Sequence, residues 1–404
     1  MPPTLVDEHG RPWNLAEKLG AGGQGEVYAV DRDSGLVAKI LFPRGRTREA
    51  HDKVRAMIAK PPPGAYELVE GFPVLTWPRA TLYVGRPHRD AFVGYLMPRV
   101  QVKRDFVSLY QVFSSARRAE LGGGGLAWDS LVRLGLRIAH VVRTLHRMGY
   151  AAGDLNDRNI LVSRKLTPLF LDTDSFEVPR GLFGRYRCSV GDRLYWPPEL
   201  LGVDLARYTG SRMPHDRYAL SVLLFQLFLN GMRPYQSRGS RVKDLETLER
   251  KTLAGLFAWA SPKRGKLEPP AGAPDFAALP RPIRDRFEAA FVKGHRKPGR
   301  RPSAEDWYRT LLRVVNDGFS TCPTVASHRF GVRDGRCPWC HDPNDPFRNG
   351  APTKRRKSAP WLPRAFHRTP HRPASNGVGL HAIRPASRGG QGPPAGASRN
   401  PFLG

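Results

Sequence analysis

The chemically capable residues of this 404-residue chain lie far apart along it: a lysine at 39, acids and amides between 154 and 172, and three cysteines with a histidine between 322 and 340. Lys39 sits in Val37-Ala38-Lys39-Ile40, a run apolar enough that an ammonium there is costly without an anionic partner. Twelve residues upstream ends a glycine-rich stretch, Gly20-Ala21-Gly22-Gly23-Gln24-Gly25-Glu26-Val27. Its bare backbone can approach phosphate oxygens and offer them N–H donors. After the glycines, Val27-Tyr28-Ala29-Val30 continues as strand, whereas a dinucleotide site would continue into a helix. Lys39 therefore reads as a phosphate-binding lysine. Glu49 is the candidate for its carboxylate partner, with Asp52 or Glu67 as alternatives.

Asp154 and Asn159 are a carboxylate and an amide five residues apart in a loop, which suits a base and a metal ligand. Thirteen residues beyond Asn159, the apolar Leu169-Phe170-Leu171 ends in Asp172. Hard Mg²⁺ is commonly held by one or two side-chain oxygens plus phosphates, and Asp172 with Asn159 can supply the former. Taken singly, each aspartate also suits a turn. Further on, Cys322, His328, Cys337 and Cys340 offer three thiols and an imidazole. The Cys337-Pro-Trp-Cys340 knuckle lets both thiolates reach one ion, and four N/S ligands make a closed, structural Zn²⁺ site. His341 is an alternative fourth ligand. So short a module buries little core by itself, and metal would have to stabilise it. Cys188 stands alone and reads as an inert small residue.

These groups need elements to carry them. Residues 15–42 read as strands broken by the glycine turn, with 36–42 a strand ended by Pro43. Residues 46–59 read as helix, stopped at Pro61-Pro62-Pro63. Short apolar runs over 66–98 read as a small sheet. From Trp128 to Met148, Leu131, Leu134, Ile138, Val141, Val142 and Leu145 form one helical face. Residues 217–229 are apolar nearly all round, which predicts a buried helix. Ser303 with Asp306 resembles a capping box opening a helix that bears Trp307, Leu311, Leu312 and Val315. A strand-rich part thus precedes a larger helical part, joined near Pro98.

Composition sets the outer bounds. Hydrophobic residues make up 40%, which excludes wholesale disorder. Lys and Arg number 65 against 36 Asp and Glu, a formal charge of +29. Residues 351–404 hold ten Lys/Arg and no acid, so the reading there is a disordered basic tail, either solubilising or an arm for nucleic acid, anionic lipid or an acidic partner. Four cysteines make no disulfide framework. The start shows no signal-peptide pattern, and the most apolar stretch, Tyr218 to Leu229, is too short to span a bilayer. The expected setting is cytoplasmic.

In chain order, the glycine turn, Lys39, Asp154 with Asn159, and Asp172 resemble the protein kinase signature set. Trp196-Pro197-Pro198-Glu199 resembles the element that closes the activation segment, Asp216 opens the buried helix as in the kinase large lobe, and Arg301 is similar to the late arginine that pairs with that glutamate, here Glu199. The resemblance spans roughly residues 13–316. Gly153-Asp154-Leu155-Asn156, the Asp172-Thr173-Asp174-Ser175-Phe176 run and Gly94-Tyr95-Leu96-Met97-Pro98 resemble a divergent bacterial branch of eukaryotic-type Ser/Thr kinases often associated with metal-dependent protein phosphatases. It implies an α+β bilobal fold: an N-lobe over 1–98, a C-lobe over 99–316, then a zinc-ribbon-like module (317–345) and the tail (346–404). It also implies roles. Gly20, Gly22, Gly25 and Val27 would cover ATP, Lys39 would hold its phosphates, and the linker at Met97 would meet adenine. Asn159 and Asp172 would bind Mg²⁺, and Asp154 would accept the proton of a Ser/Thr hydroxyl. Asn156 would bond the γ-phosphate or substrate. The implied partners are a protein substrate and a cognate phosphatase.

The sequence also departs from the pattern. Ala152-Gly153 replaces His-Arg before Asp154, Asn156 replaces a lysine that steadies the phosphate, and Asp174 replaces the glycine after the metal aspartate. An ATP-binding pseudokinase or scaffold is the first alternative. A nucleic-acid-binding protein, acting through the zinc module and basic tail, is the second.

Overall fold

The computed structural model describes residues 4–120, 126–182 and 184–347. Up to Pro98 the chain is mainly strand: β1 (Leu5–Asp7), β2 (Pro12–Trp13), β3 (Leu15–Ala21), β4 (Gly25–Val30) and β5 (Leu36–Leu41) precede helix α1 (Arg48–Ala59). The hairpin β6 (Leu68–Val69) and β7 (Phe72–Pro73), then β8 (Ala80–Val84) and β9 (Phe92–Pro98), follow it. Seven strands form one antiparallel sheet in the order β2-β1-β8-β9-β5-β4-β3, so β5 lies between β4 and β9. Leu5, Val30, Ala38, Leu82 and Leu96 pack under it. Gly25 is required by packing: a Cβ there would lie 2.3 Å from the Ile40 carbonyl oxygen on β5. Thr47 caps α1 by accepting from the Ala50 N–H at 3.1 Å.

Beyond Pro98 helices dominate. α2 (Val102–Asp105), β10 (Phe106–Ser108), α3 (Leu109–Phe113) and α4 (Ser115–Glu120) lead to the long α5 (Trp128–Arg147). Four short strands follow: β11 (Ile160–Ser163), β12 (Pro168–Phe170), β13 (Val178–Arg180) and β14 (Gly184–Tyr186). Then come α6 (Met213–Phe228), α7 (Leu248–Ala254), α8 (Arg281–Glu288), α9 (Ala304–Asp317), β15 (Phe319–Thr321) and β16 (Arg329–Gly331).

The expected apolar face of α5 is buried, and α6 is buried on nearly every side. Around Phe225 of α6 stand Phe257, Trp259, Phe276, Phe287 and Phe291, with centroids 5.0–6.4 Å away. Truncating such a residue costs about 3–5 kcal/mol. The Ser303–Asp306 capping box is formed: the serine hydroxyl accepts from Asp306 N–H at 3.1 Å, and the aspartate accepts from Ser303 N–H at 2.9 Å. β1 and β2 had no counterpart in the sequence reading, because both are too short to show an alternating pattern.

Residues 317–347 dock on the helices. Trp339 is buried 6.2 Å from Trp128 of α5 and 4.9 Å from Phe347. Pro346 and Phe347, expected in the tail, therefore pack instead: Phe347 is buried, and the Arg118 guanidinium donates to the Pro346 carbonyl. The rest of the basic tail lies outside the described residues. Among those described, no helix is long and apolar enough to cross a membrane.

Candidate active site

The β3–β4 hairpin turns through the glycines, closed by a bond from Gly22 N–H to the Gly25 carbonyl at 2.9 Å. The space beside Gly20, Gly22 and Gly23 is open. Register places Val27, Lys39 and Tyr95 side by side on β4, β5 and β9, and Met97 opposite Val37 at the far end of β9. Lys39 is 7% exposed. Its Nζ lies 2.8 Å from both carboxylate oxygens of Asp174 and 3.5 Å from Asp172 Oδ1.

The carboxylate expected from Glu49 is thus supplied by other residues. Glu49 lies exposed on the first turn of α1, and Asp52 is engaged by His51 and Arg89. Asp174 arrives instead because the chain turns sharply after β12. Asp172 adopts a left-handed conformation (φ 49°), and Thr173–Ser175 form a tight turn in which Ser175 N–H and Oγ both donate to the Asp172 carbonyl. Thr173 Oγ1 donates to the Thr76 carbonyl at 2.8 Å, pinning the turn beside the strand-rich part.

Burial opposes both charges of the pair, yet the pair prevails. Burial pulls Lys39 down, but Asp174 and Asp172 leave it above its ordinary value. Burial pushes Asp174 up, but Lys39, with Lys53 and a hydrogen bond from Tyr95, holds it below the usual carboxylate value. Lys53 of α1 is the second cation here, and burial lowers its pKa. A cavity of about 520 Å³ opens between the glycine turn, α1 and residues 187–189, lined by Gly23, Gln24, Lys53, Tyr95, Asp174 and Ser189.

The 152–159 loop is built from below. Asp216, at the start of α6, accepts from Ala152 N–H at 2.7 Å and Gly153 N–H at 2.8 Å, with His146 Nε2 at 3.1 Å. Gly153 has φ 70°, and a Cβ there would meet Cys188 Sγ at 2.5 Å, so only glycine fits. Buried Arg212 ties this loop to residues 188–190, donating to the carbonyls of Gly153, Cys188 and Val190. Burial raises the pKa of Cys188.

Asp154 then accepts from Asn156 Nδ2 at 2.7 Å, Asn159 Nδ2 at 3.1 Å and Asp192 N–H at 2.9 Å. Asn156, expected to face the transferred phosphate, is 4% exposed; its Nδ2 donates to Asp154, and its Oδ1 accepts from the N–H groups of Arg158 and Asn159. Its hydrogen-bonding capacity is used inside the loop. The Asn159 carboxamide oxygen has no hydrogen-bond partner among the described residues.

β11 and β12 pair antiparallel, and Leu171 N–H donates to the Asn159 carbonyl at 2.9 Å. Asn159 and Asp172 therefore emerge at one end of the hairpin. The Asp172 side chain is 63% exposed. Hard oxygen donors with spare lone pairs fit a magnesium ion.

Below the site, Arg301 and Glu199 form a bidentate pair at 2.6 and 2.7 Å. Arg301 also donates to the carbonyls of Gly294 and His295.

A second centre lies beyond α9. The ligand atoms of Cys322, His328, Cys337 and Cys340 all fall within 4.8 Å of one another, which fits one tetrahedral ion. His328 turns Nδ1 to Cys337 and Cys340 and Nε2 to Asp345 Oδ2, 2.7 Å away. A carboxylate behind a histidine in this way orients a metal ligand. His341 is exposed and outside the cluster.

No family model matches the chain. The chain is 29% identical over 345 residues to a protein named protein kinase YegI from Escherichia coli O157:H7, covering 84% of this chain and 50% of that protein. It is likewise 29% identical over 331 residues to the protein kinase YegI of Escherichia coli strain K12, covering 81% and 48%. The chain spans about half the length of the curated relatives it matches. The relationship is distant and kinase-like.

Asp174, Lys53, Arg212 and Tyr95 were not assigned roles from sequence. Only Asp174 carried a signal, as an acid where the resembling pattern has glycine.

Proposed function

We propose that the chain is an ATP-dependent protein kinase that transfers the γ-phosphoryl group to Ser/Thr hydroxyls of a protein substrate. The observation that carries this reading is the approach of Lys39 Nζ to Asp172 Oδ1 at 3.5 Å, 133 residues apart in sequence, beside an open glycine turn. In this reading residues 1–98 are the N-lobe and 99–316 the C-lobe of a kinase-like fold, followed by a zinc-ribbon-like module at 317–345.

The glycine turn covers the nucleotide phosphates and Lys39 contacts them. Met97 and its neighbours present backbone groups to adenine. Asp172 and the Asn159 carboxamide oxygen would hold Mg²⁺, which neutralises phosphate charge when bound. Asp154, held in place by Asn156 and the Asp192 N–H, orients the attacking hydroxyl and accepts its proton on its carboxylate. Glu199 and Arg301 fasten the segment that follows. Cys322, His328, Cys337 and Cys340 would bind a structural Zn²⁺. The kinase relatives support the reaction class at a distance.

The test is phosphoryl transfer from radiolabelled ATP with Mg²⁺ to protein, comparing wild type with Asp154→Ala. Transfer is expected to disappear while calorimetry still records nucleotide uptake. Undiminished transfer by Asp154→Ala, or no uptake of ATP by wild type, would overturn the assignment.

A further inference from the structure

A lysine that must meet phosphate needs its ammonium held at one point, and the structure shows which group holds it. Helix α1 runs beside β9 and could in principle supply an acid. Its Glu49 and Lys53 both line the cavity, but Glu49 lies exposed and makes no ion pair with Lys39 among the described residues. Both oxygens of Asp174 contact Lys39 instead, each at 2.8 Å. Asp174 is 8% exposed, and the Tyr95 hydroxyl on β9 favours its charged form. The turn that carries it is locked to the strand-rich part through Thr173 and the Thr76 carbonyl, while Thr76 N–H donates to the Phe170 carbonyl at 3.1 Å. Among the described residues, the bonds that hold Asp174 and its turn involve Lys39 on β5, the Thr76 carbonyl and the turn itself, and none comes from α1.

We infer that Asp174 is the positioning residue for Lys39, so that the lysine is aligned for nucleotide phosphates without help from an acid on helix α1. This rests on the kinase reading above. The anion that holds Lys39 comes from the segment after β12 rather than from helix α1. Asp172 lies two residues from Asp174 on the same turn, so one short segment presents both an exposed acid and the anchor of the lysine. Such a site keeps its lysine aligned whatever small displacement α1 undergoes.

The experiment compares Asp174→Asn, Asp174→Glu and Glu49→Gln for ATP uptake by calorimetry and for steady-state transfer with KM and kcat separated. Asp174→Asn is expected to raise KM for ATP and lower kcat/KM by roughly 10- to 100-fold, the effect of losing one charge-assisted partner. Asp174→Glu is expected to recover part of that loss, which a merely structural role would not produce. Glu49→Gln is expected to stay within about twofold of wild type. Should Asp174→Asn fail to fold, Tyr95→Phe takes its place, with a smaller rise in KM expected while Glu49→Gln again has none. The inference is overturned if Asp174→Asn binds ATP as well as wild type or better, which would make Asp174 a competitor of phosphate. It is equally overturned if Glu49→Gln suffers the larger loss. Wild type that takes up no ATP would instead remove the kinase reading, and this inference with it.

Discussion

Arg301 and Lys39 are both buried cations held by carboxylates, yet the atoms around them are in different states of use. Arg301 donates to both Glu199 oxygens and to the carbonyls of Gly294, His295 and Pro214. Its guanidinium has little left to offer. Around Lys39, by contrast, Asp172 stands largely exposed and Asn159 keeps its carboxamide oxygen, while Lys53 adds a cation with no carboxylate within ion-pair distance among the described residues. A saturated ion pair fastens segments together. The cluster around Lys39 keeps an exposed acid, a spare acceptor and a further cation, the groups that under the proposed function would meet phosphate and metal.

The contrast can be broken by mutation. Arg301→Ala is expected to have the largest effect on stability, about 3–5 kcal/mol by chemical denaturation, because it empties a fully buried position and leaves the Gly294 and His295 carbonyls without their donor. Asp172→Asn should change stability by only about 0.5 kcal/mol, since the side chain is exposed and asparagine tolerates the left-handed backbone. It should nonetheless reduce phosphoryl transfer by about 10²–10³-fold. Equal stability losses in the two variants would erase the distinction.

The saturated region also carries a pH signature. Burial, with Arg212 nearby, holds the His215 imidazole down to about 4, against 6.5 for the ordinary group, so it is neutral in the fold. The unfolded chain takes up that proton first as pH falls. Stability should therefore decrease from about pH 6.5 towards pH 4, by up to about 3 kcal/mol in all, and level off below. Denaturation midpoints measured across that window should show the slope, and His215→Asn should flatten it. An unchanged slope in the variant would assign the effect to other groups.

The smallest expected effect sharpens the account of α1. Thr47→Ala removes the helix cap and should cost about 1 kcal/mol in a thermal melt. Because α1 supplies no acid to Lys39, ATP turnover should stay within about twofold. A drop in turnover larger than the loss of folded protein would tie α1 to the lysine after all.

Much of the scaffold was legible in the sequence, because it depends on near neighbours. The β-rich run around Lys39, the apolar face from Leu131 to Leu145, and the Ser303–Asp306 cap each follow from residues within a few positions of one another. The Cys322–Cys340 spacing was legible for the same reason, since the ligands sit in one short module. What resisted was any choice among equivalent groups. Several acids could have satisfied Lys39 by chemistry alone, and Glu49, on the helix that follows, was the natural candidate. The structure selected Asp174, 135 residues away. The bonds Asn156 makes inside the loop were likewise not legible, because they depend on how Asp154 is turned.

By residue type and local spacing alone, then, the chain specified its longer strands and helices and a set of candidate groups for phosphate and metal. Which of those groups meet was decided only by tertiary packing. The left-handed backbone at Asp172 and the Thr173 contact with Thr76 aim Asp174 at Lys39, and Trp339 against Trp128 seats the cysteine module on the helices. The reason is physical: local hydrogen bonds and apolar periodicity act over a few residues, whereas an ion pair between distant segments forms only where the folded backbone brings its two charges together.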